Sequence, residues 1–396
     1  MNNYRLGPPP RWWNPKLSPR IVRWTAALRS RMSRRMHRLS NVHVHNEQIV
    51  RDAMSEGHGV MITPNHSSHA DPHAIYDAAD LVRTPIFIMA TWHVFDVRKK
   101  FGQWLLQKHG CFSVDRDGAD LKAFKEAIRI LQHEPFPLVI FPEGEIYHCN
   151  DRITPFLEGP ATIASTAARK GDRPVVIIPC AMKYQYLEDP TPHLLDVMSD
   201  LEQQILWRPR PQDDFQTRIY HFSEALLTLK EIEYLGEQGH GELPARVEAL
   251  ACAILARHEQ TREMDCSGKT IPERVKEIRR RCVMELCNEE NPIPDDLRLP
   301  VYEQLDDAFM VGQLFSYPGN YIREAPSIER IAETIDKFEE DVLKRPTATI
   351  RGQREVHIYF GEPMQVSGDR KNRTPPAEMT RQMEEAVQNL LDQHNA

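Results

Sequence analysis

The chain has 396 residues, 41% of them hydrophobic and 27% charged, with a net charge of −7. These are ordinary proportions for a globular protein, and the length suits two or three structural units. It holds no run of about eighteen apolar residues and no apolar core of signal-peptide kind near its start, so neither a transmembrane helix nor a secretory leader is expected.

The first 40 residues carry Arg5, Arg11, Lys16, Arg20, Arg23, Arg29, Arg31, Arg34, Arg35 and Arg38 and no acidic residue, a charge of +10. The remainder has 40 basic and 57 acidic side chains, a net −17. A basic arm on an acidic body predicts attraction to an anionic surface. Pro8 to Pro10 and Trp12-Trp13 cannot begin as a helix. Ser18-Pro19 then reads as an N-cap and first helical position. Ile21, Trp24, Leu28, Met32, Met36 and Leu39 follow at steps of three or four. Apolar stripe, tryptophans and arginine face suit a helix lying on a membrane surface. The competing reading is an amphipathic helix docked on the body with its charged face in solvent. Nucleic acid is not expected, because no base-reading motif accompanies the charge.

Short apolar runs then alternate with amphipathic segments. The predicted strands are 59–63, 85–90, 111–115, 137–141 and 175–180. Val94, Phe101 and Leu105 mark a helix ending near Gly110. Leu121, Phe124, Ile128 and Leu131 mark another, and a third covers about 159–170 with Gly171 as its C′ residue. This alternation predicts an α/β fold with a central, mostly parallel sheet flanked by helices. Ligands in such sheets gather beyond the carboxyl ends of the strands. His66, Arg116, Glu143 and Lys183 each follow a predicted strand.

Residues 191–345 read as a large helical insertion. Its stripes are Phe215, Ile219, Phe222, Leu226 and Leu229; Leu243, Val247, Leu250 and Ile254; Val275, Ile278, Cys282 and Leu286; and Ile328, Ile331, Ile335 and Phe338. Proline-rich breaks at 209–211 and 292–294 separate them. Strand character returns at 356–360, and a final helix is predicted near 376–392. The expected organisation is a basic arm over 1–45, an α/β core over 46–190, the insertion over 191–345, and a closing strand and helix over 346–396. The seven cysteines, at 111, 149, 180, 252, 266, 282 and 287, are odd in number and dispersed, which predicts reduced thiols and an intracellular protein.

The chemistry concentrates in Asn65-His66-Ser67-Ser68-His69-Ala70-Asp71-Pro72. Histidine is suited to taking a proton from a hydroxyl near neutral pH. A carboxylate on its far nitrogen fixes the tautomer and stabilises the imidazolium. Asp71 before Pro72 also reads as a helix cap, and the two roles are compatible. A second motif, Phe141-Pro142-Glu143-Gly144, follows another apolar run.

Together these residues resemble the glycerolipid acyltransferase family, whose best-known members acylate lysophosphatidic acid. His66 and Asp71, four residues between them, match its first block. Gly110 to Arg116 resembles the second, in which a Gly-x-x-Phe-x-x-Arg pattern supplies a basic residue. Phe141-Pro142-Glu143-Gly144 matches the third, and Val176 to Ala181 looks like the fourth, a buried strand ending at proline. Phe360-Gly361-Glu362-Pro363 is similar to the segment that closes the family's sheet. The resemblance covers roughly residues 20–190 and 350–392. The chain departs from the family after Gly144, where Glu145-Ile146-Tyr147-His148 replaces a Thr-Arg-Ser continuation whose arginine meets the acceptor phosphate. It also departs in the length between the fourth block and the closing strand.

The resemblance implies direct acyl transfer from acyl-CoA or acyl carrier protein to a hydroxyl of a lysophospholipid or glycerol phosphate, with no bound cofactor or metal. His66 is then the general base and Asp71 its orienting carboxylate. Arg116, Glu143, Gly144 and Lys183 are the expected substrate contacts, and His69 and His73 bystanders. The expected location is cytoplasmic, peripheral on the inner membrane surface, with residues 1–40 on anionic lipid. Two alternatives remain open on the residues alone. One is a metal-dependent hydrolase using His66, His69, Asp71 and His73; the other is a non-catalytic membrane-binding scaffold.

Overall fold

The computed structural model describes residues 11–116, 120–286, 294–317, 319–369 and 372–394. Arg5, the Pro8 to Pro10 opening, Cys287 and Pro292 lie outside the described residues. In chain order the first elements are α1 (Pro19–His37), β1 (Leu39–His45), α2 (Glu47–Ser55), β2 (Gly59–Pro64), α3 (Asp71–Val82), β3 (Phe87–Thr91), α4 (His93–Asp96), α5 (Lys100–Lys108) and β4 (Cys111–Val114). They continue with α6 (Leu121–His133), β5 (Leu138–Val139), α7 (Gly159–Lys170) and β6 (Val175–Tyr186). Helices α8 (Thr191–Leu206), α9 (Phe215–Leu235), α10 (Leu243–Thr261), α11 (Ile271–Leu286), α12 (Asp295–Phe315), α13 (Tyr321–Glu324) and α14 (Ile328–Asp341) follow. The chain closes with β7 (Arg354–Phe360), β8 (Met364–Val366) and α15 (Pro376–Gln393).

The described residues fall into two compact units, one within Pro10–Asp189 and Gly352–Ala396, the other within Pro190–Arg351. In the first, the described residues form an eight-stranded sheet in the order β1-β7-β6-β2-β5-β3-β4, with β8 also beside β6. β2 runs parallel to β6 and β5, β3 parallel to β5 and β4, and β1 parallel to β7. Only β7 and β8 run antiparallel to β6. The fold is therefore α/β around a mostly parallel sheet. Period-two alternation sends Val60, Ile62, Val176 and Ile178 into a core with residues of α2 and α3, and Met61, Val175 and Ile177 into a second core with α6, α7 and α15. A side chain at Gly59 would meet the Leu131 carbonyl oxygen at 2.1 Å, so the end of α6 approaches the start of β2 closely because that residue is glycine.

Several elements differ from the expectations. β1 and β8 carry no strong apolar run and are legible only as partners of β7 and β6. The helix expected from Val94 to Leu105 is two helices, α4 and α5, and Phe101 is exposed. Gly171 ends α7 with extended backbone at φ −110 rather than in the left-handed region. The segment expected as an arm is anchored to the sheet unit. Trp13 stacks on Phe95 at 5.1 Å, Trp12 meets Phe112 edge-on at 6.2 Å, and β1 joins the sheet. Burying two indoles on the core outweighs leaving that stretch in solvent.

Helix α1 is turned opposite to the docked-helix reading. Val22 and Ser33 are buried, Thr25 reaches the His109 ring and Arg29 pairs with Asp80, while Trp24, Leu28, Met32 and Met36 are 86%, 57%, 43% and 56% exposed. Its apolar stripe therefore faces outward.

The second unit is wholly helical among its described residues. Ile219, Phe222, Leu250, Ile254, Ile278 and Cys282 are buried as the stripes predict, whereas at the far end of α9 Leu227 is buried and Leu229 is exposed. Three helices the stripes missed, α8, α12 and the short α13, complete it among the described residues; α12 contributes Val301, Leu305, Ala308 and Val311 despite Pro300 inside it. Buried charges are paired in two-pronged fashion, Arg218 with Glu202 at 2.8 Å and Arg246 with Glu231 at 2.6 Å. Among the described residues the cysteines are free thiols, and no helix is long and apolar enough to cross a membrane.

Candidate active site

β2 ends at Pro64, and the next residue is a fully buried asparagine. Its side chain replaces a strand. Asn65 Oδ1 accepts from the Met182 N–H at 2.7 Å and its Nδ2 donates to the Met182 carbonyl at 3.0 Å. Asn150 does the same for Tyr184, both bonds at 2.8 Å. β6 thus continues past the end of its neighbour with its backbone groups satisfied. This extension carries Tyr184 over the loop that follows β2.

In that loop His66 presents Nδ1 to Asp71 Oδ2 at 2.8 Å. Asp71 is fully buried at the first position of α3. Its carboxylate does not cap the helix; Oδ2 also accepts the Ser68 N–H at 2.9 Å, and Oδ1 accepts the Tyr184 hydroxyl at 2.7 Å. Burial and the facing Asp71 carboxylate in turn push the Tyr184 phenol well above its usual range, so it stays a donor. The His66 ring lies against Phe141 with centroids 4.3 Å apart, and its side chain is 14% exposed. With Nδ1 committed to Asp71, Nε2 is the ring atom able to take a proton from a hydroxyl.

Glu143 follows β5 and is buried. Oε1 accepts the His66 N–H at 2.6 Å, and Oε2 accepts the Thr154 N–H at 3.0 Å and the Thr154 hydroxyl. Burial pushes this carboxyl up to about 7, against the pull of those donors. Both oxygens are spent on protein groups, so Glu143 fastens the His66 loop to the segment at Thr154. Gly144 has φ +77, and a Cβ there would meet Leu157 Cδ1 at 2.8 Å. The positive φ favours glycine, and a Cβ would also push the end of the Leu157 side chain aside. Arg116, just after β4, donates to the Gly144 carbonyl and pairs with Glu145 at 3.1 Å. Close by, His93 is held down to about 4 by burial first and by the Arg116 charge second.

The rim of the parallel strands therefore joins His66, Asp71, Glu143, Gly144 and Arg116 through consecutive contacts. Lys183 is placed differently from the expectation: β6 runs on to Tyr186, so Lys183 lies inside the strand. It faces the side opposite Tyr184 and pairs with Asp151 at 2.8 Å. Sequence reasoning missed Asn65 as a strand surrogate, Asn150, Thr154 and Tyr184; only Asn65, inside the His66 motif, had a signal. His69 packs against His148 and His73 against His37. Among the described residues no three of His66, His69, Asp71 and His73 bring a ligand atom each within 4.8 Å of one another.

Among curated proteins none matches the chain. Among protein-family models, the one described as Acyltransferase matches residues 41–183. That span contains His66, Asp71, Arg116, Glu143 and Gly144 and runs from within β1 to within β6; Tyr184 lies just beyond it. Over residues 41–183 the chain is thus similar to the Acyltransferase family.

Proposed function

We propose that the protein moves a fatty acyl group from a thioester of coenzyme A or acyl carrier protein to a hydroxyl of a lysophospholipid or glycerol phosphate at a membrane surface. The reading rests on the 2.8 Å contact between His66 Nδ1 and the buried Asp71 at the strand rim. His66 Nε2 takes the acceptor proton as its oxygen attacks the thioester carbonyl; the C–S bond then breaks and the thiolate leaves. That thiolate is a good enough leaving group to need no dedicated acid. Glu143 holds the His66 loop, and Arg116 is the phosphate contact.

Glu145 qualifies the acceptor. It occupies the Arg116 guanidinium at 3.1 Å, so a phosphate must displace it and approaches a negative charge. At about 6 Å such a repulsion amounts to roughly 1–3 kcal/mol between the dielectric of water and that of a protein surface. The test is to incubate the purified chain with labelled acyl-CoA or acyl carrier protein thioester, glycerol phosphate and a mixture of lysolipids, and identify products by mass spectrometry. Acylated lipid is expected, and Glu145→Ala is expected to lower KM for phosphate-monoester acceptors by about fivefold. No acylated product from either donor would refute the function, and an unchanged acceptor order in Glu145→Ala would refute the role of Glu145.

The membrane reading is supported by the outward stripe of α1 and the exposed Arg20, Arg23, Arg31, Arg34 and Arg35 on the same helix. Basic residues draw the helix to anionic lipid and the apolar groups insert. Since α1 is also packed on α3, removing it would disturb the fold; substitution is the cleaner probe. Replacing Trp24, Leu28, Met32 and Met36 together by serine is expected to lower cosedimentation with anionic liposomes by about tenfold, at unchanged thermal stability. Undiminished cosedimentation would count against this surface.

A further inference from the structure

At the edge of the sheet, β1 and β7 lie in parallel register with His43 opposite His357 and His45 opposite Tyr359. Alternation turns Val42, Val44, Val356 and Ile358 toward the core and places His43, His45, Glu355, His357 and Tyr359 together on the other face. Three histidines on one face of two neighbouring strands have no role in the acyltransferase site.

Their geometry is that of a ligand set. His43 Nε2 stands 3.0 Å from Glu355 Oε2, and His357 Nε2 stands 3.4 Å from Glu355 Oε1. One ligand atom from each of the three lies within 4.8 Å of the others. Zinc held by imidazole nitrogen and carboxylate oxygen at about 2.0–2.1 Å has its ligand atoms about 3.3 Å apart, the edge of the tetrahedron. Each histidine–glutamate separation is near that value but to a different carboxylate oxygen, so a rotation of the Glu355 carboxylate is needed to bring one oxygen to both histidines. The remaining one closes by a tilt of the two imidazoles, whose centroids are 4.6 Å apart. A further histidine supports the set from behind, with His45 Nε2 3.1 Å from His357 Nδ1. An imidazole that gives Nε2 to a metal carries its proton on Nδ1 and needs an acceptor for it there. His45 is in turn stacked on Tyr359 at 4.4 Å, and Tyr359 on His394 at 3.7 Å. The His43, Glu355 and His357 side chains are 42%, 19% and 21% exposed, so an ion can enter and keep a water as its fourth ligand.

We propose that His43, Glu355 and His357 form a binding site for Zn2+ or a divalent ion of similar softness, with His45 orienting His357. Two imidazoles and one carboxylate suit zinc over the oxygen-seeking Mg2+ and Ca2+. The ion would tie the edge strand β1 to β7, strands far apart in the chain, and bind the folded state alone. It would therefore add stability by mass action without touching His66.

The test uses the full chain, stripped with chelator and titrated with ZnCl2 by calorimetry and thermal melting. The unsubstituted protein is expected to bind one more equivalent than the double variant His43→Gln, His357→Asn, and to melt at a higher temperature with zinc than without. Glu355→Gln is expected to weaken that equivalent at least tenfold, and His45→Ala by about 10–100-fold, as for groups that orient metal ligands. Co2+ at the same site should give the visible absorption of a tetrahedral ion, absent in the double variant. Zinc-free melting of each variant shows that the fold is retained. Equal zinc stoichiometry and affinity in the unsubstituted protein and the double variant, or no zinc-dependent shift in melting, would overturn the site.

Discussion

His66→Ala is expected to lower acyl transfer about a thousandfold while the protein stays folded, in the range measured for loss of a general base. That corresponds to about 4 kcal/mol of transition-state stabilisation. The effect should fall on kcat, because alanine removes the proton acceptor and leaves the walls of the site in place. The variant loses the ring contact with Phe141 and one donor to buried Asp71, so a lower melting temperature accompanies it. The backbone N–H that Glu143 holds is retained, and circular dichroism should show the fold intact. Undiminished turnover in a folded His66→Ala variant would remove this imidazole from the chemistry.

Asp71→Asn is expected to reduce kcat by about 10²- to 10⁴-fold, as when the orienting carboxylate of a catalytic histidine is made neutral. Asparagine keeps the shape. It can, however, offer an amide N–H to His66 Nδ1, which drives the ring proton onto Nε2 and leaves no lone pair for the acceptor hydroxyl. It also loses acceptor capacity that Ser68 and Tyr184 use, so some loss of stability accompanies the variant. Tyr184→Phe separates the two effects. It removes one donor from Asp71 without disturbing the tautomer, and should cost at most about tenfold in kcat, the equivalent of one hydrogen bond. A Tyr184→Phe loss as large as that of Asp71→Asn would mean that Asp71 acts through packing and not through the histidine.

The order of these effects shows how far the site was legible in the chain. His66 and Asp71 are close in sequence, and a short loop before a Pro-initiated helix brings them together wherever it is placed. Glu143, Gly144 and Arg116 follow apolar runs, and a parallel sheet brings the carboxyl ends of such runs to one rim. Their addresses could be predicted, but their partners could not. Glu143 was expected to meet the acceptor, and it instead fastens two loops, because a buried carboxylate takes the nearest donors. Lys183 was expected at a strand end and lies inside β6, because β6 outlasts β2. Nothing local announces that extension, since the rungs that satisfy it come from Asn65 and Asn150. For the same reason Tyr184 gave no signal.

The amino-acid order alone determined the α/β class, the positions of most apolar strands, the helical character of the segment after β6 and the identity of the His–Asp pair. These follow from periodicities and spacings of a few residues, within which the backbone has little choice. Tertiary structure decided which face of α1 meets solvent, which side chains stand in for missing strands, how Glu145 occupies Arg116, and that His43, Glu355 and His357 share one face of the sheet edge. Each of these depends on contacts between residues far apart in the chain. Such contacts are chosen by competition for burial and hydrogen-bond partners in the assembled sheet, and a local pattern holds no record of that competition.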